Sequence, residues 1–232
     1  MNLILKDGES AETLYGDKII IQNASLYRFT SDSILLSRFA KGKVKDVVAD
    51  FCAGSGAVGL HFLCLNPHIK SLTLFELQPA LADMAKRTCA ADGFDCKVVE
   101  GRVQDIGAEY NGAFSLILCN PPYERGGFEN LSYERAICRK EITVTLPEIV
   151  SAAAKKLKFG GRFATVNRAD RLAEIFYTLK SHGLEPKKMQ FIRGGAGQTP
   201  YAVLVEAVKG GKPAIDILPD IVNSPENGGG TL

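Results

Sequence analysis

The sequence predicts an α/β fold: a mostly parallel sheet of seven strands, helices on both faces and an antiparallel last strand. Three observations lead there. From residue 47 onward, short apolar runs alternate with helix-length segments, the pattern of strand-helix-strand units. The first run empties into a glycine-rich turn, Gly54-Ser55-Gly56. The last two runs are separated only by a short stretch holding Gly194-Gly195-Ala196-Gly197, so they pair as a hairpin.

In chain order, Asp17 to Gln22 reads as a short strand and Ser31 to Ala40 as a helix capped by Thr30 or Ser31. Residues 1–43 are read as an N-terminal extension packing on the core, and Lys41 to Lys45 as a solvated charged link. Strands are expected at Val47–Phe51, Ser71–Glu76, Cys96–Glu100, Phe114–Cys119, Arg162–Asn167, Lys188–Ile192 and Tyr201–Val208. Helices follow Gly56, run from Pro79 to just before Gly93, start at the capping box Thr145-Leu146-Pro147-Glu148, and span Asp170 to His182 ahead of Gly183. The core domain is drawn over 44–222. The segment after Lys209 is Gly/Pro-rich, and 223–232 is expected to be a flexible tail.

Composition narrows the classes. Across 232 residues the chain is 46% hydrophobic and 23% charged, with a net charge of only +2. Any contact with nucleic acid must therefore come from local basic patches. No apolar run approaches the roughly 20 residues that a membrane helix needs. The start, Met1 to Asp7, lacks the basic stretch and apolar core of a secretory leader, so the cytoplasm is the expected location. Six cysteines (Cys52, Cys64, Cys89, Cys96, Cys119, Cys138) are scattered among apolar neighbours without metal-ligand spacing. All six are expected as reduced thiols, and no metal is expected. A monomer is favoured.

Gly54-x-Gly56-x-x-Gly59 satisfies the dinucleotide fingerprint, and Glu76 closes the next strand where an acid would hold a ribose. Asp50 argues against a nicotinamide cofactor. Four residues before the first glycine, its carboxylate would repel a pyrophosphate and attract a sulfonium, which favours S-adenosylmethionine (SAM). Glu76 can then accept from the ribose hydroxyls. Asp105, just past the third strand, is placed to accept from the adenine amine, although a turn cap explains it nearly as well.

The fourth strand stops at Asn120-Pro121-Pro122-Tyr123. Two prolines fix φ and remove two donors, which leaves the Asn120 side-chain oxygen and the Pro121 carbonyl as free acceptors beside an aromatic ring. Two acceptors suit the two protons of a planar NH2 group, and Tyr123 suits stacking on the attached ring. A plain turn after a buried strand is the competing reading.

Asp50 to Gly59, Glu76, Asp105 and Asn120 to Tyr123 stand in the order and spacing of the class I SAM-dependent methyltransferases that modify exocyclic amines. The chain resembles that group, and this implies a Rossmann-like fold. One position departs from the pattern: Cys52 stands where the group has the first glycine of its loop. More narrowly, residues 7 to 222 look like the bacterial tRNA adenine-N6 methyltransferases that act on a valine tRNA anticodon loop. That likeness rests on Tyr27 to Leu36, Ala136 to Leu146, Arg168 to Leu172 and Val205 to Pro213. The resemblance implies cofactor contacts from Thr30, Asp32, Asp50, Cys52, Gly54, Gly56, Glu76, Leu77, Asp105 and Asn120. It implies methyl transfer at Asn120, Pro121, Pro122 and Tyr123, with a flipped or single-stranded nucleotide as substrate. Phosphate contacts are expected from Arg125, Arg139, Lys140 and Arg193. A protein-glutamine, guanine-N2 or DNA-adenine methyltransferase, or a non-catalytic RNA-binding module, are the rival readings.

Overall fold

The computed structural model describes residues 3–26, 28–122 and 144–224. Strands β1 (Glu9–Tyr15) and β2 (Lys18–Asn23) form a separate antiparallel ribbon, followed by helix α1 (Ser31–Phe39). The main sheet then grows through β3 (Val47–Phe51), α2 (Ala57–Leu65), β4 (Ser71–Glu76), α3 (Pro79–Asp92), β5 (Cys96–Glu100) and β6 (Phe114–Cys119). It continues through α4 (Leu146–Lys156), β7 (Leu157–Arg168), α5 (Leu172–Ser181), β8 (Leu184–Arg193), β9 (Ala202–Lys209), β10 (Asp216–Ile217) and β11 (Ile221–Val222). Strand order is β10-β8-β9-β7-β6-β3-β4-β5, with β11 also on β8. Strands β3 to β7 run parallel, and β9 lies antiparallel between β7 and β8.

The seven-strand expectation needs correction, because the described main sheet has nine strands. The extra two come from the segment expected to be irregular, and both pair parallel with the outer side of β8. An edge strand presents a row of unpaired backbone groups, and this segment covers them. Strand β1 also went unread, since its residues, ESAETLY, include two acids, Ser10 and Thr13 on a half-exposed ribbon.

The sheet is buried on both faces. Val48, Leu116, Leu118 and Val166 pack under α1 and α2, while Phe51, Ile117 and Phe163 pack under Ile149, Val150, Ile175 and Leu179 of α4 and α5. Each such side chain is worth roughly 1.5–3 kcal/mol by burial. At the amino ends of the strands, Arg162 of β7 donates to Asp46 (2.6 Å) and to the Lys41 carbonyl (2.6 Å), clamping the entry to β3. Helix α4 begins at the expected capping box, with the Thr145 amide donating to Glu148 at 2.7 Å.

The cysteine expectation also changes. Cys89 and Cys96 form a disulfide, with Cα atoms 6.7 Å apart. Gly93, at φ +68°, reverses the chain between α3 and β5 and brings the two together. Cys52, Cys64 and Cys119 are free, and Cys138 lies outside the described residues.

Candidate active site

Register places the chemistry at one edge. Phe51 of β3 lies opposite Phe75 of β4 and Cys119 of β6, so the residues that follow them, Cys52, Glu76 and Asn120, converge at the carboxyl ends of three neighbouring strands. Ligands of open parallel sheets bind there. A cleft with about 570 Å³ of atom-free space, including its open mouth, is lined by Cys52, Gly54, Glu76, Leu77, Asn120 and Pro122. Its remaining walls, Phe75, Gln78, Leu81, Gly101, Arg102, Val103, Gln104 and Val144, were not singled out from sequence. They come from the end of β4, the start of α3, the segment after β5 and the residue ahead of the α4 cap, whose approach depends on the sheet order.

The turn after β3 is tight. Cys52 adopts φ +57°, so a residue with a side chain occupies the left-handed conformation that glycine favours. Gly54 (φ +60°) and Gly56 (φ +97°) complete the turn, and Gly56 sits at the start of α2. Gly59 is required by space. A Cβ there would come within 2.6 Å of a Leu74 methyl and 3.0 Å of the Asp50 carboxylate.

Asp50 lies wholly buried beneath this turn. Its Oδ2 accepts from the Gly59 amide at 2.8 Å, and its Oδ1 has no partner. Burial pushes its carboxyl up to about 8, against the lowering effect of the Gly59 bond, with the Glu76 charge adding to the rise. Glu76 accepts from the Gly54 amide at 2.7 Å and the Gln78 amide at 2.8 Å, and burial raises its pKa as well. Each carboxylate oxygen keeps a second lone pair for a hydroxyl. A cationic, ribose-bearing cofactor fits this set. Asp50 does not itself line the cleft, so its charge would act on a bound cation from beneath the turn, while Glu76 would meet hydroxyls and Leu77, Leu81 and Val103 an apolar ring face.

Asn120 is half-buried at the end of β6. Its Nδ2 donates to Ser33 of α1 at 3.0 Å, and its Oδ1 is buried without a partner. Ser33 was not identified from sequence, because 87 residues separate it from its partner and only the packed fold joins them.

The other sequence candidates are placed as follows. Asp105 ends a short 3-10 turn and lines an adjoining outer groove with Tyr110, not the cleft itself. Thr30 sits at the N-cap position of α1, and Asp32 accepts from Tyr201 at 3.0 Å; neither lines the cleft. Arg193 donates to Asp220 and to the Gln198 carbonyl, which ties down the segment carrying β11. Tyr123, Arg125, Arg139 and Lys140, and the tail beyond Ser224, lie outside the described residues.

Fold and cleft together are those of an open, mostly parallel α/β sheet with a cleft at its strand carboxyl ends, where sheets of this class bind ligands. Residues 30–181 match the family of the methyltransferase small domain, and the chain belongs to that family. It is a methyltransferase, and the residues lining the cleft fit SAM as the methyl donor. A tRNA1(Val) (adenine(37)-N6)-methyltransferase of Porphyromonas gingivalis is 25% identical, over 81% of this chain and 76% of its own. The ribosomal RNA small subunit methyltransferase C of Serratia proteamaculans is 29% identical over 59% of this chain and 35% of its own. Among solved structures, a predicted O-methyltransferase of Agrobacterium tumefaciens superimposes with a TM-score of 0.66, at 21% identity, over 82% of this chain and 86% of that one. That last likeness is one of fold.

Proposed function

We propose that this enzyme methylates the exocyclic N6 of an adenine in RNA, in a tRNA anticodon loop. One observation carries the reading: the buried, unpartnered Oδ1 of Asn120, next to a Pro121 carbonyl at a strand end. The adenine amine is a weak nucleophile because its lone pair is delocalised into the ring. Asn120 Oδ1 and the Pro121 carbonyl each accept one of its protons, turning the nitrogen so that its lone pair faces the methyl group that the cofactor supplies. A bound SAM would supply an electrophilic methyl, the carbon-sulfur electrons staying with sulfur, and the methylated nitrogen would shed a proton to water. The two oxygens stabilise the positive charge as it develops.

A paired base cannot reach such a cleft, so the target is single-stranded or flipped. Tyr123 is assigned to stack on it, and Arg125, Arg139 and Lys140 to contact phosphates. Asp105 is assigned to the rim of the adenosine site. The names of the Porphyromonas and Serratia relatives support an RNA substrate, and the first supports adenine N6 in tRNA. A tRNA substrate places the enzyme in the cytoplasm. Labelled SAM offered in parallel with bulk tRNA, total DNA and a release-factor protein tests this. Label is expected in tRNA, at N6-methyladenosine after digestion, and label in protein alone refutes it.

A further inference from the structure

The first turn of α1 makes three connections from three successive residues. Ser31 Oγ accepts from Asn223 of the C-terminal segment at 2.8 Å. Asp32 accepts from Tyr201, just ahead of β9, at 3.0 Å. Ser33 Oγ accepts from Asn120 Nδ2 at 3.0 Å. Asn223 also donates to Tyr201 at 2.9 Å, which closes the network. Of these partners, only Asn120 belongs to the reacting site.

We infer that Ser33 is a positioning residue for methyl transfer: it fixes the plane of the Asn120 amide so that one end of that amide meets the substrate amine. This rests on the role given to Asn120 above. The physical argument starts from the torsion. The terminal torsion of an asparagine is broad and roughly two-fold, so packing alone holds the amide plane poorly. A single bond at one end removes that freedom and determines where the other end lies. Ser33 is 2% exposed, so water does not compete for its hydroxyl, and it sits on a helix held by Tyr201 and Asn223. A serine hydroxyl donates as well as accepts. The incoming amine, which offers only protons along this direction, therefore selects Oδ1 to face it, while Ser33 sets the position that oxygen takes. Asn120 acts on the amine, and Ser33 acts only through Asn120.

Two measurements test this. In steady-state methylation of bulk tRNA, Ser33→Ala is expected to lower kcat roughly tenfold, the size of one lost neutral hydrogen bond, with KM for SAM and tRNA each within about twofold. In an Asn120→Ala background the same change is expected to lower the residual rate by less than about twofold, since no amide remains to be held. Separately, in protein labelled with 15N at asparagine, the Asn120 side-chain NH2 protons should exchange with water faster in Ser33→Ala than in wild type. An unchanged kcat, an equal loss in both backgrounds, or unchanged Asn120 exchange overturns the assignment. The exchange measurement needs no substrate. A wild-type enzyme inert on tRNA would sink the proposed reaction, and the exchange result would still decide Ser33.

Discussion

The cofactor affinity of this enzyme should depend on pH through a carboxyl that never touches solvent. Asp50 is fully buried, has one oxygen without a partner, and carries a pKa of about 8. Near pH 6 the free enzyme therefore holds it protonated. A bound sulfonium and ammonium favour its carboxylate, so cofactor binding expels a proton, and affinity rises with pH up to about the free-enzyme pKa. A hundredfold excess of the protonated form at pH 6, against equal populations at pH 8, gives a Kd roughly 50-fold weaker at the lower pH, or about 2.3 kcal/mol. Calorimetric titration with SAM across that range, in buffers of different ionisation enthalpy, reads both the slope and the proton count. Asp50→Asn should flatten the profile and abolish the proton released at pH 6. Identical slopes in the two proteins, or no proton release from wild type, would refute the reasoning. Stability follows the same linkage. The folded-state pKa is raised above 3.8, so the native state binds the extra proton between 3.8 and about 8. The free enzyme loses stability as pH rises through that window.

Three further outcomes are expected. Asn120→Ala removes the unpartnered acceptor, and kcat on tRNA should fall roughly 100- to 1000-fold, as for loss of one preorganised polar group, while SAM Kd in the same calorimeter moves less than about threefold. Gly59→Ala forces a methyl to within 2.6 Å of Leu74 and 3.0 Å of Asp50. The turn must shift, and SAM affinity should drop at least tenfold with little change in tRNA binding by filter retention. Arg162→Met leaves Asp46 buried without its guanidinium partner. That should cost about 3–5 kcal/mol in urea unfolding, with the midpoint falling and the slope preserved.

Much of the frame was legible along the chain. Strands β3, β4, β5 and β6 coincide with the ranges expected from sequence: β3, β4 and β6 are short, mostly apolar buried runs, and β5, a half-exposed edge strand, is closed by Glu100 and Gly101. The capping box of α4 and the glycine turn before α2 were equally local signals. Strand β7 starts five residues early, at Leu157, since Gly160 and Gly161 argue for a loop while pairing of Leu157 with Phe114 extends the sheet. Strands β10 and β11 have no sequence pattern of their own, and they exist because β8 offers an edge.

The sequence by itself determined the residue types of the site and their order: a buried acid before a glycine turn, an acid ending the next strand, and an asparagine ahead of two prolines. Each is set by neighbours within a few positions, where backbone chemistry decides. Tertiary structure alone decided that Asp50 has an oxygen without a partner, that Cys52 bears a left-handed φ, and that Ser33 reaches Asn120 across 87 positions. Those properties depend on which strands lie side by side and what covers their ends, and no local pattern encodes that.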